Sequence, residues 1–204
     1  MEDIRSPNFW ESRYQEGTAR WDLGQPAPAF QDFLSYPHAP QAGKTMVLGC
    51  GRGYDALLFA RQGFEVTGVD FAPSAIASAK KFATQEGIAA QFLQRDIFDL
   101  PQELGSVFNF VVEHTCFCAL PPEKRQDYVQ LLASLLQPGG ELLAVFFTHN
   151  RSGGPPFGIT PSEIRQLFGT KFEILTLQPV SNSVPSRQGE EHFGRLRLLA
   201  LTSD

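Results

Sequence analysis

Glycines are concentrated in a short segment where a buried strand is expected to lead into a helix. Gly49, Gly51 and Gly53 alternate with other residues in the stretch GCGRGYD, directly after the apolar run MVL. Such glycines allow a tight turn and a close approach of the backbone to a ligand, and the helix that follows presents unpaired N–H groups. Taken alone, the pattern also suits a turn that only connects the strand to the helix.

An acidic residue about twenty positions further on favours ligand binding. Asp70 ends the next predicted strand, VTGVD, where a carboxylate can accept hydrogen bonds from both hydroxyls of a ribose. Together the turn and the acid predict a nucleoside pocket at the carboxyl ends of adjacent strands. A dinucleotide fingerprint requires G-x-G-x-x-G, but the spacing here is G-x-G-x-G with Tyr54 in the next position, which disfavours a nicotinamide-dependent oxidoreductase.

The elements that would position these residues alternate along the chain from Lys44 onward. Short apolar runs and amphipathic stretches follow one another, as is typical of β-α units on a parallel sheet. Two short helices, over 7–16 and 27–36, are expected to precede this core as an arm. Strands are expected near 45–49, 64–69, 90–94, 108–112 and 141–147, and helices near 54–62, 74–86, 122–136 and 160–168.

The end of the chain predicts a different kind of strand pairing. Residues 171–180 and 192–202 are apolar stretches joined by a polar segment, which favours an antiparallel hairpin at one side of the sheet. The segment Pro138-Gly139-Gly140 is expected to end the helix over 122–136. We therefore expect a single domain over 1–204, with an arm at 1–40 and an α/β core of about seven strands at 44–204.

Composition excludes several classes of function. The 204 residues are 42% hydrophobic and carry a net charge of −5 without a basic run, so nucleic acid is not an expected substrate. No apolar run approaches the ~18 residues that span a bilayer, and the charged N-terminus predicts neither a signal peptide nor a membrane segment. We expect a cytoplasmic monomer that acts on a small or anionic molecule.

The three cysteines do not indicate a metal or a nucleophile. Cys50, Cys116 and Cys118 are too sparse for a zinc site, so no metal is expected, and they suit the reducing cytosol. No histidine partner is specified by their spacing, which favours small buried thiols.

The glycine spacing together with Asp70 resembles the first motif of the S-adenosylmethionine-dependent methyltransferases, which have a Rossmann-like, seven-stranded, mostly parallel sheet flanked by helices. The segment RDIF at 95–98 resembles the part of that family that recognises adenine. The resemblance implies that Asp96 meets the exocyclic amine, that the backbone N–H of Ile97 meets a ring nitrogen, and that Phe71 forms an apolar wall for the base. A position in the core is the alternative for Phe71.

A more specific resemblance extends over nearly the whole chain and implies a role for the arm. Six segments in order are similar to the thiopurine S-methyltransferase superfamily: FWESRY at 9–14, WD at 21–22, GCGRGYD at 49–55, FCALPP at 117–122, GPPF at 154–157 and VPSR at 184–187. By this resemblance Trp10 and Trp21 would cover the cofactor. Alternatively, both indoles only attach the arm to the core.

The segment EHTCFCA at 113–119 resembles the halide and thiol methyltransferase branch more closely than the thiopurine enzymes. Glu113 would then lie beside the amino group of the methionyl part of the cofactor, the alternative being a partly solvated carboxylate. His114 is a candidate to orient or deprotonate the acceptor, or is a hydrogen-bonded wall residue. Arg187 is a candidate to guide an anion, or lies in a solvated loop.

The expected reaction is in-line transfer of a methyl group to a small soft nucleophile: a halide, thiocyanate, hydrosulfide or a thiol. Such anions need a dry, apolar pocket and alignment more than a general base. An S-methyltransferase for aromatic or heterocyclic thiols is the nearest alternative. A further alternative is a protein that binds the cofactor but does not catalyse methyl transfer.

Overall fold

In the computed structural model, residues 4–37 and 39–200 are described, and they contain one seven-stranded sheet with helices on both faces. The strands are β1 Lys44–Leu48, β2 Glu65–Asp70, β3 Gln91–Gln94, β4 Phe108–His114, β5 Leu136–Phe147, β6 Phe172–Pro179 and β7 Glu191–Leu198. The helices are α1 Pro7–Gln15, α2 Pro28–Ser35, α3 Tyr54–Arg61, α4 Pro73–Glu86, α5 Leu100–Leu104, α6 Arg125–Leu135 and α7 Pro161–Phe168. Within the described ranges, none of these helices is long and apolar enough to cross a bilayer. The predicted α/β class is confirmed.

The strand order is β3-β2-β1-β4-β5-β7-β6. Strands β1 to β5 pair in parallel, and β7 runs antiparallel between β5 and β6, which confirms the predicted C-terminal hairpin. Leu48 lies opposite both Val69 and Glu113, and Asp70 lies opposite Gln94. Strands β1 to β4 therefore end at one edge of the sheet, where ligands bind in open α/β folds.

Alternation along the strands separates two hydrophobic layers. Met46 and Leu48 pack into the layer formed with α6 and α7, whereas Val47 packs into the opposite layer with α2, α3 and α4. Successive strand residues point to opposite faces, so a short run such as MVL contributes to both layers. Each of these fully buried side chains stabilises the fold by roughly 1.5–3 kcal/mol, and the layers fix the positions of the strand ends.

One predicted boundary is wrong. The segment Pro138-Gly139-Gly140 does not end α6 but lies inside β5, which begins at Leu136 rather than near residue 141. Leu136 has extended dihedral angles and pairs with Phe108, with a register shift before the next pair. The irregularity accommodates a proline without an N–H, which is tolerated at the beginning of a strand.

Other boundaries shift by a few residues. A 3₁₀ turn at Pro122–Lys124 precedes α6, which was expected to begin at 122. Helix α5 was not predicted from the sequence, because five residues are too few to show a helical period. The last strand, expected over 192–202, ends at Leu198, and positions 201–202 lie outside the described residues.

Candidate active site

The glycine turn and Asp70 meet at the ends of β1 and β2, as expected. The carboxylate of Asp70 accepts hydrogen bonds from the N–H of Gly51 at 2.8 Å and of Ala72 at 2.9 Å. Burial raises the pKa of Asp70, although these N–H donors favour its charged form. Asp70 therefore holds the turn in place and keeps its acceptor oxygens at the strand edge.

Glycine is required where the arm crosses this turn. Gly51 has a φ of 53°, and a Cβ atom there would lie only 2.9 Å from the hydroxyl of Tyr14. Gly49 and Gly53 also have positive φ, at 57° and 86°. A side chain at Gly51 would combine backbone strain with a clash, so the close approach of Tyr14 depends on the glycine.

The two tryptophans of the arm pack above the turn. Trp21 donates its indole N–H to the hydroxyl of Tyr14 at 2.9 Å, and the rings of Trp10 and Trp21 lie 5.2 Å apart. This group packs on Ala72 and Ala75, just beyond Asp70. Trp21 and Tyr14 line a cavity of about 50 Å³, whereas Trp10 lies behind them. The remaining lining residues are Asp22, Leu23, Gln25, Gly49, Cys50, Gly51, Arg52, Tyr54, Asp55, His114 and Thr115.

A second, open cavity brings together the residues expected to recognise the base. Its volume is about 360 Å³, and it is lined by Phe71 and Asp96, together with Arg5, Pro7, Gln94 and Arg95. Phe71 is half-buried at this cavity and lies outside the core layers. Asp96 caps a 3₁₀ turn that begins at Ile97 by accepting the N–H of Phe98 at 2.9 Å. The side chain of Ile97 is buried in the core.

Glu113 is fully buried, so the alternative of a partly solvated carboxylate is wrong. Its Oε2 accepts the N–H groups of Cys116 at 3.1 Å and Phe117 at 2.9 Å, whereas its Oε1 has no hydrogen-bond partner. Burial raises the pKa of Glu113 to about 7, against the opposing effect of the backbone donors and of His114. A buried acceptor without a partner is costly unless a ligand supplies a donor.

Thr115 is a site residue for which the sequence analysis assigned no role. Its φ is 61°, in the left-handed region that β-branched residues rarely occupy, and it lines the small cavity. Such strain is retained where the surrounding structure enforces it, often at functional sites. A threonine gives no sign of this conformation in a sequence, because only glycine marks it directly.

His114 is hydrogen-bonded on both sides of its ring. Its Nδ1 lies 3.0 Å from Oδ2 of Asp55, and its Nε2 lies 2.8 Å from Nη1 of Arg187 and 3.7 Å from Oε1 of Glu191. Burial disfavours a charged imidazole, but Asp55 and Glu191 stabilise it and raise the pKa of His114. The contact with Arg187 instead requires an unprotonated Nε2, with the proton on Nδ1 facing Asp55.

Arg187 is buried, so its alternative as part of a solvated loop is wrong. Nη1 also donates to Glu191 at 3.2 Å, and Nη2 donates to the backbone carbonyl of Trp21 at 2.8 Å. The guanidinium lies 5.8 Å from the ring centre of Phe147. Glu191 has a lowered pKa because the neighbouring His114, Ser183 and Arg187 outweigh the effect of its burial.

The cysteines lie beside this site as neutral thiols. Burial raises the pKa of Cys50, Cys116 and Cys118, each further raised by a nearby carboxylate. A thiol held protonated is a poor nucleophile. Among residues 4–37 and 39–200, no group of three or more potential metal ligands occurs.

Comparison with known proteins identifies the family to which this arrangement belongs. A sequence profile of the thiopurine S-methyltransferase family matches residues 5–197. The chain belongs to the thiopurine S-methyltransferase family. The chain is thus an S-adenosylmethionine-dependent methyltransferase, in agreement with the resemblance of its six segments.

The names of similar proteins indicate several kinds of substrate. The chain is 35% identical over 194 residues to "Probable thiol methyltransferase 2" of Arabidopsis thaliana, covering 93% of this chain and 84% of the relative. It is 29% identical to "Thiocyanate methyltransferase 1" of the same plant, covering 91% and 82%. It is 26% identical to "Thiopurine S-methyltransferase" of Pseudomonas fluorescens, covering 84% and 86%.

Solved structures share the fold at lower identity. A structure concerned with conversion of a disulfide bond into a thioacetal group during echinomycin biosynthesis superposes with a TM-score of 0.78 at 22% identity, covering 95% of this chain and 93% of that one. The 1,6-didemethyltoxoflavin-N1-methyltransferase of Burkholderia thailandensis, solved with bound 1,6-didemethyltoxoflavin and S-adenosylhomocysteine, superposes with a TM-score of 0.71 at 20% identity. The match covers 95% of this chain and 87% of that one. The Rossmann-like methyltransferase fold is therefore confirmed.

The residues present fit the cofactor of the family. A glycine turn with no room for a side chain, a carboxylate at the end of β2 and a buried acceptor without a partner match a ligand with hydroxyl and ammonium groups. Tyr14, Asp55 and Glu191 are site residues that were not predicted from the sequence. Tyr14 and Asp55 lie within the segments that carry the resemblance, so their positions there were the available signal.

Proposed function

We propose that this methyltransferase acts on a small soft nucleophile that arrives as an anion, such as iodide, thiocyanate, hydrosulfide or a small thiolate. The observation that carries the proposal is the state of His114, whose two ring nitrogens are both held by protein side chains. A nucleophile with its own negative charge needs no proton removed. The site therefore contributes position and environment rather than proton transfer.

S-Adenosylmethionine, when bound, supplies a methyl group on a sulfonium with a good leaving group. We assign Asp70 to the ribose hydroxyls, Asp96 and the N–H of Ile97 to the adenine, with Phe71 as its wall, and Glu113 to the amino group. The unpartnered Oε1 of Glu113 is the contact that favours an ammonium there. The glycine turn of Gly49, Gly51 and Gly53 provides the close approach.

The arm and the aromatic side chains around His114 exclude water. Phe30 lies 6.3 Å from the imidazole of His114, ring centre to ring centre, and Phe147 lies under Arg187. Removing water from an anion makes it more reactive. Trp21 covers the turn from above, with Trp10 packed behind it.

The relatives favour the same choice of acceptor. The 35% identical relative is named as a probable thiol methyltransferase, and a 29% identical relative as a thiocyanate methyltransferase. Relatives named as thiopurine enzymes are 23% to 28% identical. An aromatic or heterocyclic thiol is the second candidate acceptor, favoured by the description of the family as a whole.

The direct test is headspace gas chromatography of the purified protein with S-adenosylmethionine and, separately, iodide, thiocyanate, hydrosulfide, a small alkyl thiol and a thiopurine. Demethylated cofactor is quantified in every reaction. We expect methylated product from at least one of the small nucleophiles, at a higher kcat/KM than from the thiopurine.

Two other results would change the assignment. Turnover of the thiopurine alone would replace the small-anion acceptor with the aromatic thiol. Binding of the cofactor, measured by calorimetry, with no demethylated product from any acceptor would contradict the proposed acceptors and favour a cofactor-binding protein.

A further inference from the structure

We propose that Asp55 and Glu191 act through His114 and Arg187 as a clasp that holds residues 21–27 of the arm over the glycine turn. In this arrangement His114 and Arg187 are positioning residues for the cofactor cover. The clasp concerns the cofactor site and does not depend on which acceptor is methylated.

The clasp is hydrogen-bonded to the backbone of the arm at two residues. Oδ1 of Asp55 accepts the N–H of Ala27 at 2.7 Å, and Nη2 of Arg187 donates to the carbonyl of Trp21 at 2.8 Å. Between these points lie Asp22, Leu23 and Gln25, which with Trp21 form the arm's side of the small cavity. The two attachments therefore fix both ends of the segment that closes this cavity.

His114 connects the two attachment points. The remaining oxygen of Asp55 faces Nδ1 of His114, and Arg187 faces Nε2 on the other side of the ring. Glu191 pairs with Arg187 from the first position of β7. Three side chains, from α3, β4 and the turn at 185–187, thus form one continuous hydrogen-bonded network between two parts of the arm, and Glu191 of β7 pairs with Arg187 at one end of it.

The four side chains of the clasp are much more buried than those of an ordinary surface ion-pair network. Side-chain exposure is 14% at Asp55, 10% at His114, 8% at Arg187 and 4% at Glu191. Burying charges costs several kcal/mol unless their geometry compensates, so such a network is a poor source of stability alone. A surface ion pair, Asp22 with Arg52 at 3.1 Å, also links the arm to the core but is more exposed at Arg52.

The substitution Asp55→Asn reverses one hydrogen bond without changing shape. The side-chain oxygen of Asn can still accept the N–H of Ala27, but its amide then presents N–H to Nδ1 of His114. The proton of His114 must move to Nε2, where it opposes the donor of Arg187. Arg187→Lys keeps the positive charge but lacks the paired N–H groups that reach Trp21 and His114 together.

The arm can be monitored directly because Trp10 and Trp21 are the only tryptophans of the chain. In a Trp10→Phe background, acrylamide quenching reports the accessibility of Trp21 alone. We expect Asp55→Asn and Arg187→Lys each to increase quenching and to weaken S-adenosylhomocysteine binding by about tenfold, the effect of losing one hydrogen bond to a charged group. The double variant should lose little more cofactor affinity than either single variant, because both substitutions interrupt the same hydrogen-bonded network.

Steady-state kinetics separate a clasp from direct catalysis. For Arg187→Lys, which keeps the charge of the site, we expect the KM for S-adenosylmethionine to rise while kcat and the KM of the acceptor stay within about threefold of the parent. Glu173→Gln is the matched control, an exposed carboxylate of β6 paired with Arg197, which lies near the end of β7 opposite to Glu191. It should leave quenching, affinity and kinetics unchanged.

Either of two results would overturn the clasp. One is unchanged Trp21 quenching and cofactor affinity in Asp55→Asn, whose isosteric side chain keeps the fold. The other is additive losses in the double variant. Quenching and cofactor binding need no acceptor, so failure to find a methylated product would leave this test intact.

Discussion

Glu113 makes the stability of this protein depend on pH in a direction opposite to that of most carboxylates. Its pKa is raised from 4.5 to about 7 by burial, so the folded state holds a proton that the unfolded state releases. The contribution is most favourable below pH 4.5 and is lost as the pH rises through 7. The shift corresponds to about 3 kcal/mol, with a slope near pH 6 of about 1.2 kcal/mol per pH unit.

Glu113→Gln removes this titration and keeps an acceptor for the N–H groups of Cys116 and Phe117. We expect the free energy of unfolding of the native protein to fall relative to the variant by about 3 kcal/mol between pH 4.5 and 8. Urea unfolding of both proteins at several pH values, without cofactor, measures this difference. Titrating groups that do not interact with Glu113 cancel in the comparison. A difference that stays constant across the range would mean that Glu113 is charged throughout and that the reasoning from burial is wrong.

Three further predictions concern single residues of the site. Asp70→Asn should weaken S-adenosylhomocysteine binding by about tenfold in calorimetry, because it removes a charged acceptor from the proposed ribose contact. His114→Phe should raise the KM for S-adenosylmethionine while leaving kcat within about threefold. A fall in kcat of about 10²-fold or more, with KM unchanged, would instead indicate a general base. Thr115→Gly should stabilise the fold by about 1 kcal/mol in urea unfolding, by relieving its left-handed conformation; a loss of stability would mean that the threonine side chain contributes more than its strain costs.

Most of the fold could be predicted because the apolar runs and turn residues agree with one another. The capping box at Thr160 and Glu163 forms as expected and begins α7. The Pro138-Gly139-Gly140 boundary was wrong because proline and glycine mark irregular backbone of several kinds. Here they mark the irregular beginning of β5, where Leu136 pairs with Phe108. In sequence, such a segment has the same composition as the end of a helix.

Of the site, the glycine turn and Asp70 could be predicted from the sequence, whereas the surroundings of His114 could not. Gly51 and Asp70 are close in the fold because adjacent parallel strands end together, so their spacing in sequence carries the information. The partners of His114 come from two distant parts of the chain, around Asp55 and around residues 187–191, and nothing in its sequence neighbours indicates them. The burial of Arg187 also could not be predicted from the sequence. This residue lies in a polar segment, yet its side chain is almost completely buried.

The antiparallel strand explains how Arg187 reaches the site at all. Because β7 runs against β5, its first residue, Glu191, lies opposite Phe147, the last residue of β5. The segment that enters β7 therefore arrives at the edge where β1, β2 and β4 end, and delivers Arg187 beside His114. A parallel last strand would bring its entry segment to the opposite edge of the sheet. The reversed strand is thus what allows the C-terminal part of the chain to hold the N-terminal arm over the site.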